Sequence, residues 1–221
     1  MSFTVYHKKE TDTTLDTSPI FPVNSIYMFI PRRKIILTGY RATGKTLVGL
    51  MLAQRLNLDF LDMDEMIEVR AGQSIHQIVA QQGWEQFRLL ERDLLSELIC
   101  RKDVVISTGG GAILHQDIWS LLQQTGLVVW LGADIDTICR RLAADEKSTR
   151  QRPTLTDSDI YTEVAHMLVA REPLYQKGSH LAVDTSNKTA GEIVHIIELA
   201  LANDEFLRTI EASIPNDPTF Y

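Results

Sequence analysis

Short, almost unbroken apolar runs alternate with longer segments of helical spacing through the middle of the chain. The runs are KIILT (34–38), DFLD (59–62), DVVIST (103–108), LVVWLG (127–132) and HLAVD (180–184). With so little polar alternation, they suit strands covered on both faces. Between them lie TLVGLMLAQRL, SIHQIVAQQ, EQFRLLERDLLSELIC, IWSLLQQ, DIDTICRRLAA, a stretch over 158–170, and TAGEIVHIIELALA, which read as helices. Ser74 with Gln77, and Thr189 with Glu192, have capping-box spacing at two of the helix starts. Strands alternating with helices predict right-handed crossovers and a three-layer α/β/α fold around a central five-stranded parallel sheet. Ligands bind such sheets at the carboxyl ends of the strands, so the residues following each strand become the candidates for chemistry.

The flanks lack this pattern. Residues 1–33 are Ser/Thr-rich with Pro19, Pro22 and Pro31, and read as an irregular extension. Residues 203–221 are polar with Pro215 and Pro218, although EFLRTIEASI has the spacing of a further amphipathic turn or two. Residues 34–202 are therefore expected to form the folded domain. The whole chain has 221 residues, 22 Lys and Arg against 29 Asp and Glu, and a net charge of −7. That balance opposes gripping nucleic acid by bulk charge. Two cysteines, Cys100 and Cys139, make no disulfide framework and suit a reducing compartment. No run approaches the ~20 apolar residues of a membrane span. The N-terminus has no apolar stretch for a secretory signal, and Glu10, Asp12 and Asp16 fit a transit peptide poorly. The expected location is the cytoplasm.

The strongest chemical signal follows the first strand. Gly39-Tyr40-Arg41-Ala42-Thr43-Gly44-Lys45-Thr46 matches G-x-x-x-x-G-K-[ST] with a strand before it and a helix, opening through Leu47, after it. The glycines let backbone N–H groups turn inward around phosphate oxygens, and the helix adds its positive end. Lys45 is expected to reach the β- and γ-phosphates and Thr46 to place its hydroxyl on Mg²⁺, so a nucleoside triphosphate and one Mg²⁺ ion follow. Arg41 suits either phosphate or solvent, and Tyr40 reads as packing.

The second strand ends in Asp62-Met63-Asp64. Strand alternation would aim both carboxylates into the crevice, one for Mg²⁺ and one as base for an attacking hydroxyl. A helix N-cap for the following segment accounts for the same residues. The third strand runs into Thr108-Gly109-Gly110-Gly111-Ala112, where glycines permit close backbone approach to a ligand. This strand has no Walker-B aspartate at its end, since Ser107 and Thr108 stand there, so metal ligation rests on Thr46 and the aspartate pair. Arg88 precedes Glu91 by one helical turn, and Glu91 can orient its guanidinium toward a carboxylate. Spacing alone fits a surface ion pair as well. Arg171, in Arg-Glu-Pro-Leu-Tyr, is expected to end a helix before Pro173, where its charge also suits the helix dipole. The polar segment ADEKSTRQRPTLTD has the position of a closing lid, over about 145–157, from which Arg150 or Arg152 could neutralise phosphate charge. His115 reads as a surface residue, and Trp84 as packing beside the Arg88 helix.

Together GYRATGKT, DMD, FRLLE, TGGGA, QRP and REPLY resemble the motif series of the shikimate kinases, in that family's order. The resemblance spans about residues 34–202 and implies a P-loop kinase fold with a lid and acceptor-binding helices. It implies transfer of the ATP γ-phosphoryl group to the 3-hydroxyl of shikimate. By that resemblance Asp64 binds the acceptor hydroxyls and acts as base. Arg88 and Arg171 clamp the carboxylate, Gly109, Gly110 and Gly111 line the acceptor, and Arg152 is the lid arginine. Asp62 belongs to the Mg²⁺ shell, and Asp184-Thr185-Ser186 lie near the adenine. ATP and shikimate are then the partners of a monomer, with neither nucleic acid nor membrane. Two positions depart from the family pattern: Ala42 stands where Gly is usual, and Thr154 where Leu is usual. A kinase for another small hydroxy acid such as gluconate, and a catalytically silent nucleotide-binding regulator, are the competing readings. Retention of Lys45, Asp64 and Arg152 counts against the regulator, because a binder needs neither base nor lid arginine.

Overall fold

The structure, a computed structural model, describes residues 34–144 and 160–203. The tails over 1–33 and 204–221, and the expected lid with Arg150, Arg152 and Thr154, lie outside the described residues.

Five parallel strands stand in the order β2-β3-β1-β4-β5. They are β1 (Lys34–Thr38), β2 (Asp59–Asp62), β3 (Val104–Ser107), β4 (Leu127–Gly132) and β5 (Leu181–Asp184). Seven α-helices accompany them among the described residues: α1 (Lys45–Leu56), α2 (Met63–Ala71), α3 (Ile75–Leu98), α4 (Gln116–Gln123), α5 (Ile135–Ala144), α6 (Ile160–Lys177) and α7 (Ala190–Leu201). Alternation along β1 separates the two cores. Ile35 and Leu37 pack with Val48 and Leu52 of α1 and with Ile193 and Ile197 of α7. Ile36 faces the opposite layer, among Met63 of α2, Phe87 and Leu94 of α3 and Trp119 of α4. Every residue of β1 is buried, as its unbroken apolar run requires.

Local chemistry sets the ends of the elements. Both capping boxes form: the side chains of Ser74 and Thr189 accept from the backbone N–H of Gln77 and Glu192. The segments read as two helices, SIHQIVAQQ and EQFRLLERDLLSELIC, meet in α3 at a kink where Gly83 takes φ 82°. Lys34 is fully buried, yet its ammonium donates to Leu98 O, Ile99 O and Thr125 Oγ1, closing the end of α3.

One boundary differs from expectation. α6 does not stop before Pro173 but continues through it to Lys177. The carbonyl that Pro173 leaves without a helical partner belongs to Val169, whose side chain is exposed on the solvent face, where water can serve instead. Continuation buries Tyr175 completely in the second core. Arg171 is consequently a buried mid-helix residue rather than a partner for a helix terminus.

Because β1 lies between β3 and β4, while the chain after β1 goes to the far edge at β2, the sheet changes direction beside the carboxyl end of β1. That switch point is where the crevice opens.

Candidate active site

The phosphate loop spans this switch point. Gly39 has φ 135°, and a Cβ there would sit 2.2 Å from Leu131 O, so only glycine fits. Gly44 has φ 93° at the N-cap of α1. Thr43 is turned inward, its hydroxyl donating to Tyr40 O over 2.8 Å, which fixes the curl of the loop. The ammonium of Lys45 crosses beneath, 2.9 Å from Gly39 O and 2.8 Å from Tyr40 O. Ala42 occupies the left-handed region at φ 61°, and its carbonyl accepts from Arg141 of α5. Thr46 and Leu47, in the first turn of α1, are exposed.

The two aspartates do not lie side by side on a strand. Asp62 ends β2, and Asp64 is already in the first turn of α2. Asp62 caps that helix, its Oδ1 accepting from the backbone N–H of Asp64 at 3.0 Å. Its Oδ2 accepts from the hydroxyl of Thr46 at 2.7 Å. The capping reading thus holds for Asp62, and the same side chain also receives the hydroxyl of Thr46. Among the described residues no cluster of three His, Cys, Asp or Glu side chains could cage a metal. A hard-oxygen pair of one hydroxyl and one carboxylate suits Mg²⁺, which keeps water and phosphate oxygens as its other ligands.

The glycine turn is the platform for both arginines. Parallel pairing sets Asp62 beside Ser107, so the turn after β3 stands next to the aspartates. On its other side, a Cβ on Gly110 would lie 3.4 Å from both the Arg41 N and the Gly39 O of the phosphate loop. Arg88 packs its guanidinium directly on Gly111, where a Cβ would fall 2.1 Å from Nη1. Arg171 donates from Nη1 to Gly110 O at 2.9 Å, and Tyr175 donates its hydroxyl to the same carbonyl at 2.6 Å. Burial pushes the Tyr175 hydroxyl up to about 12, so it remains a donor across neutral pH. Arg88 is paired with the buried Glu91 and lies over the rings of Phe87, at 5.2 Å, and Trp84, at 5.6 Å. Trp84 therefore borders the Arg88 guanidinium as well as packing.

A family model described as "Shikimate kinase" matches residues 41–202. The chain belongs to the shikimate kinase family. A shikimate kinase of Rhodopirellula baltica is 39% identical over 160 residues, covering 72% of this chain and 86% of the relative. Shikimate kinase 2 of an Enterobacter species is 39% identical over 163 residues, with 74% and 92% covered. Among solved structures, shikimate kinase from Acinetobacter baumannii in complex with shikimate aligns with a TM-score of 0.74 and 33% identity, covering 83% of this chain and 99% of that one. A gluconokinase from Sinorhizobium meliloti shares the fold at a TM-score of 0.52 and 17% identity.

Three side chains of the site region make contacts that the sequence reading lacks. Arg41 is largely covered rather than solvated, and its Nη2 pairs with the buried Glu163 of α6 at 2.8 Å. Arg141 ties the phosphate loop to the turn after β5, donating to Thr185 O at 2.6 Å and to Thr185 Oγ1 at 3.0 Å as well as to Ala42 O. His115 is largely covered and reaches Glu91. Charge patterning along the chain carries no sign of these contacts, because each partner comes from a different element.

Proposed function

We propose that this chain transfers the γ-phosphoryl group of ATP to the 3-hydroxyl of shikimate, giving shikimate 3-phosphate and ADP. The observation that carries the reading is the convergence of Arg88 and Arg171 on consecutive glycines, Gly111 and Gly110, beside the phosphate loop. Two guanidinium groups there suit a small carboxylate-bearing acceptor held next to a nucleotide phosphate.

The residues divide the work. The backbone of Gly39, Ala42, Thr43, Gly44 and Lys45 cradles the ATP phosphates, with Leu47 in the helical turn that follows, and the Lys45 ammonium offsets charge on the γ-phosphoryl group. Arg88 and Arg171 hold the acceptor carboxylate, and Gly109, Gly110 and Gly111 bring backbone against the ring. Asp64 accepts the proton as the 3-hydroxyl oxygen attacks phosphorus and the bond to the ADP oxygen breaks. Arg152, carried in on the family resemblance, adds positive charge as the transfer proceeds. Thr46 and Asp62 would hold Mg²⁺, which when bound supplies charge neutralisation between the β- and γ-phosphates. The reading further makes the enzyme a cytoplasmic monomer that engages neither nucleic acid nor membrane, in keeping with its net charge of −7. No helix among the described residues is long and apolar enough to cross a membrane.

The test is a steady-state ADP-release assay at saturating Mg-ATP with shikimate, gluconate and nucleoside monophosphates as acceptors. Turnover with shikimate, in clear preference to the others, is expected. Preference for gluconate would replace the substrate, and silence with all of them would leave a nucleotide-binding regulator.

A further inference from the structure

His115 follows the 3-10 turn Ala112–Leu114 that leads out of the glycine platform, and it stands at the N-cap of α4. Its side chain does not cap that helix. It turns instead into the protein, with 12% of its surface exposed, and places Nε2 3.1 Å from Glu91 Oε2. The same oxygen accepts from Arg88. Glu91 is fully buried, and its other carboxylate oxygen has no hydrogen-bond partner among the described residues. An ionised carboxylate only accepts, so Nε2 of His115 carries the proton of this bond.

A buried carboxylate needs compensation. Burial alone pushes Glu91 up, but the hydrogen bond from His115 together with the charge of Arg88 holds it below its ordinary value. Removing His115 would leave Arg88 as the only group offsetting the desolvation of Glu91, and the anion that anchors Arg88 would weaken. Among the described residues the hydrogen bond of the Arg88 fork goes to Glu91, while Gly111 and the rings of Phe87 and Trp84 give it packing contacts.

We propose that His115 is a positioning residue for the acceptor: acting through Glu91, it fixes the guanidinium of Arg88 in the orientation that receives the acceptor carboxylate. The inference rests on the acceptor reading above only in naming that carboxylate. The linkage His115–Glu91–Arg88 joins the segment after β3 to α3, so the two walls of the acceptor pocket are set relative to each other by one buried carboxylate.

The experiment compares the full-length wild type with His115→Ala and His115→Gln, the latter keeping an N–H donor of similar reach. Initial rates are measured while shikimate and Mg-ATP are varied separately. His115→Ala is expected to raise the shikimate KM about five- to tenfold, as loss of one charge-assisted hydrogen bond implies. The KM for ATP and kcat are expected to stay within about twofold, and His115→Gln to recover most of the shikimate KM. A shikimate KM unmoved by His115→Ala, or KM values for both substrates that rise together without rescue by Gln, would overturn the proposal. A second readout needs no acceptor: NMR of the arginine guanidinium groups should find Arg88 immobilised in wild type and His115→Gln and rotating freely in His115→Ala. An Arg88 signal indifferent to His115→Ala would overturn the proposal even if the substrate were not shikimate. Failure of the wild type to phosphorylate shikimate would instead remove the substrate assignment.

Discussion

The hydroxyl of Thr46 donates to Asp62 Oδ2 across 2.7 Å, joining the first turn of α1 to the end of β2. Asp62 therefore serves two ends at once, since its other oxygen caps α2. Asparagine caps a helix as well as aspartate does, so Asp62→Asn separates the two duties. Thermal unfolding should move little, within about 0.5 kcal/mol. The Mg²⁺ concentration for half-maximal rate should rise on the order of tenfold. An unchanged Mg²⁺ dependence, with stability equally unmoved, would make Asp62 a capping residue alone.

Asp64 tests the chemical step. Asp64→Asn keeps the size of the side chain but cannot take a proton from an attacking hydroxyl. Its kcat should fall by roughly 10²–10⁴, while ATP affinity by calorimetry stays near the wild-type value. Persisting turnover would end its assignment as the base.

Gly111→Ala probes the packing of Arg88. Gly111 has φ −106° and ψ −5°, which alanine adopts without strain. The added Cβ would nevertheless lie 2.1 Å from Arg88 Nη1. The guanidinium is the end of a flexible side chain, so it should move and the backbone should hold. The acceptor KM is expected to rise about tenfold with the ATP KM unchanged. Equal effects on both substrates would place the disturbance in the phosphate loop.

Tyr175→Phe removes one of two donors to Gly110 O and should cost about 1 kcal/mol, read from urea denaturation at neutral pH. The alkaline limb gives an independent check. Burial pushes the Tyr175 hydroxyl from its ordinary value of 10.0 up to about 12 in the folded chain, because it disfavours the charged form. The unfolded chain thus loses this proton first, and the stability it contributes is present in full below pH ~10. Above that the wild type should lose up to about 1.4 kcal/mol per pH unit from this group, until near pH 12. Tyr175→Phe should lack that increment, so the two stabilities converge above pH ~10 and cross before pH ~12. Parallel curves would contradict the buried-phenol assignment.

Ala42→Gly addresses the departure in the phosphate loop. Ala42 sits at φ 61°, where a Cβ costs about 1–2 kcal/mol. Glycine removes that cost but adds unfolded-state freedom of roughly 0.5–1 kcal/mol. A net gain of about 0.5–1 kcal/mol is expected in the urea midpoint. A loss would show that the bond from Arg141 to Ala42 O depends on alanine.

The elements and the phosphate loop are legible in the amino-acid order alone. Unbroken apolar runs demanded buried strands, and the runs at Lys34–Thr38, Asp59–Asp62 and Leu127–Gly132 coincide with β1, β2 and β4. Both capping boxes and the Gly39–Thr46 loop depend on neighbours within a few residues, so local spacing suffices to read them. The helix end at Pro173 was misjudged because the local cost of proline is outweighed by burying Tyr175, a gain that exists only when α6 meets the sheet. Strand alternation likewise failed for Asp64, since the capping bond from Asp62 starts α2 one residue after the strand. Which polar groups meet depends instead on how the elements pack. Arg41 with Glu163, Arg171 with Gly110 and His115 with Glu91 each join elements distant in sequence. Their encounter follows from the strand order β2-β3-β1-β4-β5, which brings the ends of β1 and β3 together. Periodicity within one segment reports which face is buried, and the partner on the other side of that burial is set by how the segments stack.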